Sequence, residues 1–193
     1  MESLSVIVPL YNEEEALEQL HQELTRALDG LQFPSEIICI DDGSTDGSPE
    51  VLRRIQEQDP RVKIIRFRRN FGKSAALSAG FKEAMGDIIV TIDADLQDKP
   101  AEMSKLVERL LAGADLVSGW KKDRQDPIGK RWPSKLFNRV TSLLTGVPLH
   151  DMNCGFKAYR RDVVEEIQVY GEMHRYIPVL ASYRGFLVTE VPV

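Results

Sequence analysis

Short apolar runs and amphipathic stretches alternate along the first 120 residues of this chain of 193 residues. The apolar runs are residues 4–9, 36–40, 62–67, 87–92 and 115–120, and the amphipathic stretches are residues 13–28, 48–58, 74–85 and 101–112. Strands that alternate with helices of this length form a mostly parallel sheet covered by helices. The alternation therefore predicts an α/β fold.

The first amphipathic stretch shows how a helix would pack on this sheet. Its leucines Leu17, Leu20, Leu24 and Leu28 follow a spacing of three and four residues, which gives a helix one apolar face. Asn12 precedes three glutamates, a pattern that predicts a helix N-cap at Asn12.

Composition and length favour one globular α/β domain, since 42% of the residues are hydrophobic and 28% are charged. No apolar run approaches the roughly 18 residues of a membrane span, and the amino terminus predicts no export signal. The two cysteines, Cys39 and Cys154, lack the spacing of a zinc site. We expect reduced, packed thiols.

Charge is distributed unevenly over a chain whose net charge is −5. Residues 1–60 hold 14 acidic and three basic side chains, whereas residues 61–73 hold six basic side chains and no acidic one. A second basic block spans residues 121–139. These blocks either face an anion or are solvated surface charge. Nucleic acid is not expected as a partner, because the chain is acidic and has no nucleic-acid-binding motif.

Three aspartates, Asp93, Asp95 and Asp98, follow the predicted fourth strand. In open α/β sheets, ligands bind at the carboxyl ends of the strands. Closely spaced carboxylates suit Mg²⁺ or Mn²⁺, which binds one or two protein carboxylates together with phosphate oxygens of a substrate. A solvated turn or a helix cap is the alternative interpretation.

Three further loops follow predicted strands at residues 9–13, 40–47 and 68–73. They offer an aromatic ring, carboxylates and glycines, which together can hold a nucleobase and let backbone approach a ligand. Residues 72–74 are similar to the end of a phosphate-binding P-loop, but Phe67 stands where that motif requires glycine. We therefore reject a P-loop.

The regular alternation stops after residue 120. Residues 121–133 predict a polar loop, and residues 134–144 predict a basic amphipathic helix that lies in a membrane interface or packs on its own domain. We expect weak association with anionic membranes through residues 130–144. Strands are predicted at residues 155–159 and 186–193.

Six segments are informative as a set, because of their order and approximate spacing along the chain. They are VIVPLYNEEE, IDDGSTDG, RNFGKSAAL, GDIIVTIDADLQDKP, DMNCGFKAYRR and MHRYIP. In these segments the chain resembles the inverting family 2 glycosyltransferases, in particular the dolichol-phosphate mannose synthases and bacterial polyprenyl-phosphate glycosyltransferases. The resemblance covers essentially all residues. It implies a single GT-A (Rossmann-like) catalytic domain over residues 1–193, with a donor half at 1–120 and an acceptor half at 121–193.

The resemblance also implies substrates, cofactor and location. The donor would be a UDP- or GDP-linked sugar, the cofactor Mg²⁺ or Mn²⁺, and the acceptor a polyprenyl phosphate. The domain would act at the cytoplasmic face of the membrane, either as a soluble form or followed by membrane helices in a longer protein. A homo-oligomer is compatible with the resemblance.

Residue roles follow by position in the matched motifs. The nucleotide-binding set is Pro9, Tyr11, Asn12, Glu13, Asp41, Asp42, Lys73, Asp93 and Ala94. The metal and diphosphate set is Asp93, Asp95 and Gln97, with Asp95 also essential for catalysis. The departing diphosphate needs basic side chains, for which Lys73, Arg124 and Arg131 are candidates. The resemblance places His174 and Arg175 near the acceptor. The basic residue after the fifth strand that reaches the diphosphate is Lys121, Lys122 or Arg124.

Asp151 is the candidate base or orienting group by the same resemblance. A lipid phosphate needs little help from a base, because its second pKa of about 6 leaves it largely anionic at neutral pH. The alternative for Asp151 is a turn carboxylate, and His150 beside it is expected to be structural.

Other functions fit less well. A phosphotransferase with an aspartyl nucleophile would carry it after an early strand, whereas Asp93 follows the fourth. A sugar-nucleotide pyrophosphorylase would need a Gly- and Arg-rich opening loop, which VIVPLYNEEE lacks. Transfer to a glycan hydroxyl and a degenerate binding module without turnover remain alternatives.

Overall fold

The structure is a computed structural model that describes residues 2–121 and 149–193. Seven strands are present in this part of the chain: β1 (Leu4–Leu10), β2 (Ser35–Asp41), β3 (Val62–Arg66), β4 (Ile88–Thr91), β5 (Leu116–Trp120), β6 (Lys157–Arg160) and β7 (Val188–Pro192). The helices, numbered within the same residues, are α1 (Leu17–Leu31), α2 (Ser48–Gln58), α3 (Lys73–Glu83), α4 (Met103–Leu111), α5 (Arg161–Glu166) and α6 (Ile177–Tyr183). Short 3₁₀ helices occupy Pro100–Glu102 and Met173–Tyr176.

The strands form one sheet in the order β3-β2-β1-β4-β6-β5-β7. β6 runs antiparallel to its neighbours β4 and β5, and the other pairs are parallel. The chain moves outward from β1 to β3 and then returns to place β4 on the other side of β1. Such a reversal opens a crevice at the carboxyl ends of the two central strands, where ligands of α/β proteins bind. The predicted α/β fold with a mostly parallel sheet is confirmed.

Helices cover both faces of the sheet. The predicted leucine stripe of α1 packs with α2 and α4 in one apolar cluster, and all four leucines of the stripe are buried. On the other face, α3, α5 and α6 pack over Ile7, Ile38 and Ile89. The central strands are therefore buried on both sides, as their continuous apolar runs predict.

Several local predictions differ from the structure. Helix α1 begins at Leu17 after Ala16, so the N-cap predicted at Asn12 is wrong. Asn12 instead adopts a left-handed backbone with φ of 57°, and its side-chain oxygen accepts a hydrogen bond from Thr45 N at 2.8 Å. The side chain of Asn12 thus ties two loops together. Helices α5 and α6 were not predicted.

Both cysteines are free thiols buried in the core. Burial raises the pKa of Cys39 to about 12 and that of Cys154 to about 11, so both are protonated at neutral pH. The predicted loop at 121–133, apart from residue 121, and the predicted helix at 134–144 lie outside the described residues. Within the described part of the chain, no helix combines the length and apolar character needed to cross a bilayer.

Candidate functional site

A cleft of about 290 Å³ opens at the carboxyl ends of β1, β2 and β4, where the chain reverses its direction across the sheet. It is lined by Pro9, Leu10, Tyr11, Glu13, Asp42, Asn70, Gly72, Lys73, Ala76, Asp93, Ala94 and Asp95. Four segments separated by up to about 80 positions in the sequence therefore meet at one place. Of the predicted nucleotide-binding residues, Asn12 and Asp41 do not line the cleft.

One wall of the cleft is the loop after β1, which is fastened to the loop after β2. Asn12 N donates to Ser44 Oγ at 2.9 Å, and Gly47 N donates to a carboxylate oxygen of Glu14 at 2.9 Å. These bonds fix the backbone that follows Tyr11, whose side chain remains 43% exposed at the cleft. The ring of Tyr11 is thus available as a flat apolar surface for a ligand.

Asp41, the last residue of β2, and Asp42, which follows it, form hydrogen bonds with different partners. Asp41 is fully buried; its Oδ1 accepts from Ser44 N at 2.8 Å, and Arg66 Nε lies 3.2 Å from its Oδ2. Asp42 reaches the loop before α3, where its two oxygens accept from Phe71 N at 2.7 Å and from the next amide, at residue 72, at 2.8 Å. Asp42 therefore holds that loop against the cleft.

The floor of the cleft contains an ion pair between Lys73 and Asp93. Lys73 begins α3, and its Nζ lies 2.7 Å from Oδ2 of Asp93, just after β4. Gly155 packs against the carboxylate of Asp93 so closely that a Cβ at position 155 would overlap it. The position of Asp93 is thus determined by a charge on one side and by backbone on another.

Asp95 and Gln97 project from the loop that follows. Leu96 between them has φ of 58°, which is rare for leucine and marks a turn held in place by its surroundings. Gln97 N donates to Oδ1 of Asp95 at 3.1 Å. Asp95 lines the cleft, whereas the exposed Gln97 does not.

Beneath this loop, the carboxylate of Asp98 is buried and forms an ion pair with Lys121, with Nζ 2.9 Å from Oδ1. Burial raises the pKa of Asp98, and Lys121 partly offsets that effect. Although burial lowers the pKa of Lys121, its bond to Asp98 raises it above the usual value. Of the basic residues considered for the diphosphate, Lys121 is thus engaged with Asp98. Lys122, Arg124 and Arg131 lie outside the described residues.

Carboxylates dominate the charge of the cleft. The pKa of Glu13 is raised by its burial, by Asp95, by Asp46 and by Asp93, in decreasing order, so negative charges crowd one another. Lys73 is the single basic side chain among the described lining residues. A divalent cation would relieve this repulsion.

The described residues contain no group of three or more His, Cys, Asp or Glu side chains arranged to hold a metal ion by themselves. Mg²⁺ and Mn²⁺ do not require such a group, because they bind one or two protein carboxylates and complete their coordination with water and substrate oxygens. Asp93 and Asp95 fit that type of site.

Asp151 lies outside the cleft lining and is only 3% exposed. Its Oδ1 accepts from Asn153 N at 3.1 Å, and its backbone oxygen accepts from Ser118 Oγ at 3.4 Å. Next to it, the ring of His150 stacks on Trp120 with centroids 4.2 Å apart, and His150 N donates to Glu190 at 2.8 Å.

The two predicted acceptor residues, His174 and Arg175, have different surroundings. His174 Nδ1 lies 2.9 Å from Oγ of Ser74, the residue after Lys73, so His174 reaches the amino end of α3. Burial, followed by the nearby charge of Lys73, lowers the pKa of His174 and favours a neutral ring. Arg175 is exposed and pairs with Glu172 at 3.4 Å.

Four lining residues, Leu10, Asn70, Gly72 and Ala76, were not predicted as site residues. Asn70 and Gly72 belong to the loop at 68–73 that was predicted to face the ligand. Ala76 lies three residues after Lys73 in α3, a spacing that places both on one face of a helix. These three residues were thus accessible to sequence reasoning.

A sequence model of Glycosyl transferase family 2 matches residues 5–168. The chain belongs to glycosyl transferase family 2. Similar proteins include the undecaprenyl-phosphate 4-deoxy-4-formamido-L-arabinose transferase of Pseudomonas aeruginosa (strain LESB58), which is 42% identical over 93% of this chain and 53% of its own length. The protein of the same name from Salmonella choleraesuis (strain SC-B67) is 38% identical over 100% of this chain and 59% of its own length. The chain thus spans somewhat more than half of these relatives.

Solved structures share the fold at lower identity. Glucosyl-3-phosphoglycerate synthase from Mycobacterium tuberculosis in complex with UDP has a TM-score of 0.77 and 21% identity, over 100% of this chain and 71% of that one. A mannosyltransferase from Pyrobaculum calidifontis in complex with GDP-Man and Mn²⁺ has a TM-score of 0.73 and 20% identity, over 99% of this chain and 55% of that one. The predicted GT-A fold is confirmed.

Proposed function

We propose that this chain catalyses the transfer of a sugar from a UDP- or GDP-linked donor to a polyprenyl phosphate, with inversion at the anomeric carbon and with Mg²⁺ or Mn²⁺ as cofactor. The observation that carries this proposal is the cleft at the carboxyl ends of β1 and β4, in which Asp93, Asp95 and Lys73 meet beside an exposed aromatic ring. The names of the similar transferases support a polyprenyl phosphate acceptor.

The nucleoside would lie along the wall formed by Pro9, Tyr11 and Glu13. The ring of Tyr11 would stack on the base, and the nearby carboxylates would accept hydrogen bonds from base and ribose. Asn12 and Asp41 would act indirectly, because their side chains bond to the loop after β2. Asp42 lines the cleft while it also holds residues 71 and 72.

The diphosphate would lie over Asp93, Ala94 and Asp95. A divalent cation bound there would neutralise the charge that develops on the departing nucleoside diphosphate. Gln97 stands beside Asp95 and would complete this end of the site. Lys73 would exchange part of its contact with Asp93 for a phosphate oxygen, and Arg124 and Arg131 would supply further positive charge.

In the reaction, an oxygen of the lipid phosphate attacks the anomeric carbon while the bond from that carbon to the diphosphate oxygen breaks. The attacking phosphate is already anionic, so the step requires orientation more than deprotonation. Asp151 would be the base or orienting group, and His174 and Arg175 would contact the acceptor. His174 reaches the start of α3 beside Lys73, which suits this role.

The acceptor also suggests where the enzyme works. A polyprenyl phosphate is embedded in a bilayer, so we place the domain at the cytoplasmic membrane face. We further propose one catalytic domain over residues 1–193, with a donor half at 1–120 and an acceptor half at 121–193, supported by the sheet that runs from β3 to β7. Self-association is compatible with this arrangement.

The proposal is tested by incubating the chain with UDP- and GDP-linked sugars, Mn²⁺ and a polyprenyl phosphate in detergent, and by measuring lipid-linked sugar. We expect transfer from one donor type and the loss of nearly all transfer in Asp95→Asn, because the amide lacks the negative charge of one of the two carboxylates that would bind the cation. Asp162→Asn is the matched control, since Asp162 is exposed at the start of α5. Equal transfer by wild type and Asp95→Asn would contradict the proposal.

A further inference from the structure

Lys157, the first residue of β6, is a buried lysine at only 3% exposure. A buried ammonium group is costly unless hydrogen bonds compensate for the loss of water. Lys157 Nζ donates to the backbone oxygen of Met152 at 3.3 Å and to that of Cys154. Burial lowers the pKa of Lys157, and Asp151 and Asp93 are among the nearby groups that oppose this effect.

The acceptors of Lys157 lie in the turn formed by residues 151–155, which is held mainly by side chains. Thr91 Oγ1, at the end of β4, donates to Gly155 O at 2.7 Å. Ser118 Oγ, in β5, lies 3.4 Å from the backbone oxygen of Asp151. Side chains from three adjacent strands thus bind four backbone oxygens of one turn.

The turn connects the two halves of the candidate site. At one end, Gly155 packs against the carboxylate of Asp93 with no room for a Cβ. At the other end, the turn carries Asp151, whose carboxylate accepts from Asn153 N. A displacement of the turn would therefore move the backbone that supports Asp93 and change the position of Asp151 at the same time.

We propose that Lys157 is a positioning residue that clamps residues 151–155 and so holds Gly155 against Asp93. It touches neither donor nor acceptor and acts through the turn. The inference rests on the proposed function in assigning Asp93 to the metal and diphosphate. Outer residues that orient a metal ligand typically change metal affinity or activity by roughly 10- to 100-fold when they are removed.

The test compares wild type with Lys157→Met, which keeps the unbranched chain as far as Cε but removes the donors, and with Lys157→Arg, which keeps charge and donors. Lys82→Met is the matched control, since Lys82 is exposed on α3. Two quantities are measured on folded protein: amide hydrogen exchange over residues 151–156, and the gain in UDP and GDP affinity that Mn²⁺ produces.

In Lys157→Met we expect faster amide hydrogen exchange in the turn. The gain in nucleotide affinity that Mn²⁺ produces should be smaller by roughly tenfold or more. Affinity without metal should stay near the wild-type value, and Lys157→Arg should restore much of the gain. General destabilisation would not change the metal-dependent part selectively. Unchanged exchange, or an unchanged gain in Lys157→Met, would overturn the proposal.

Thr91→Val provides a second variant in case Lys157→Met does not fold, since it removes the bond to Gly155 from the same turn. Thr91→Val should also speed amide exchange in the turn and reduce the Mn²⁺-dependent gain in nucleotide affinity. Wild-type behaviour in both measurements would overturn the proposal that this turn is clamped. A wild-type chain that gains no nucleotide affinity from Mn²⁺ would instead contradict the proposed function. In that case, amide exchange over residues 151–156 alone tests whether Lys157 clamps the turn.

Discussion

At the scale of single residues, the buried pair of Asp98 and Lys121 supports the loop that carries Asp95. Lys121→Met would leave a buried carboxylate without its partner. We expect this to destabilise the chain by about 3 kcal/mol at neutral pH, in keeping with the cost of breaking buried ion pairs. Arg53→Met is the control, because Arg53 and Glu50 are 62% and 58% exposed in their pair, and exposed pairs contribute little.

The sign of the pH dependence follows from the raised pKa of Asp98. A carboxyl group whose pKa is higher in the folded than in the unfolded state favours folding at low pH, and this contribution is lost as the pH rises through the folded pKa. In Lys121→Met the bond that lowers the pKa of Asp98 is absent, so this pKa rises further and the variant gains more stability on acidification than wild type. The stability deficit of Lys121→Met should therefore shrink between pH 7 and pH 5. Urea unfolding at both values measures it, and a deficit that grows on acidification would contradict this account.

The roles of some single residues could not be predicted from their residue type and local sequence. A lysine in a strand is expected to be exposed, so nothing in the sequence indicated that Lys157 is buried beneath the site. The N-cap at Asn12 was wrong for a related reason, because its partner Thr45 lies in another loop 33 positions away. Contacts of this range depend on the tertiary structure rather than on local pattern.

At the scale of elements, Asp42 connects the end of β2 to the loop before α3. Asp42→Ala removes two hydrogen bonds from backbone amides to a charged group, each of which contributes roughly 1.5–3 kcal/mol. We expect faster amide exchange at Phe71 and Gly72 and weaker nucleotide binding, both measured on folded protein. Asp29→Ala, at the exposed end of α1, is the control. Unchanged exchange at both amides would show that Asp42 does not hold the loop.

The regular elements were predicted well where their patterns were long. Helix α2 matches its predicted bounds, and the leucine stripe of α1 is buried as expected. Helices α5 and α6 have six and seven residues, too few for a clear helical period. The direction of β6 depends on its pairing with β4 and β5, which a strand pattern does not contain.

At the scale of the whole molecule, the strand order explains why four loops of the sequence form one cleft. β1 and β4 are neighbours, although 77 residues separate the end of the first from the start of the second. Their carboxyl ends bring Tyr11 close to Asp93 and Asp95. The sequence predicted that the loops share one edge of the sheet, whereas the bond from Asp42 to residues 71 and 72 and the fit of Gly155 against Asp93 required the structure.

Metal-dependent nucleotide binding at Asp93 and Asp95 can be measured by calorimetric titration of the wild-type chain and of Asp95→Asn with UDP and with GDP, each with and without Mn²⁺. We predict that one nucleotide binds wild type more tightly when Mn²⁺ is present, and that Asp95→Asn loses this gain while its affinity without metal is retained. Equal gains in both proteins, or no binding of either nucleotide to folded wild type, would contradict a metal-dependent nucleotide site at Asp93 and Asp95.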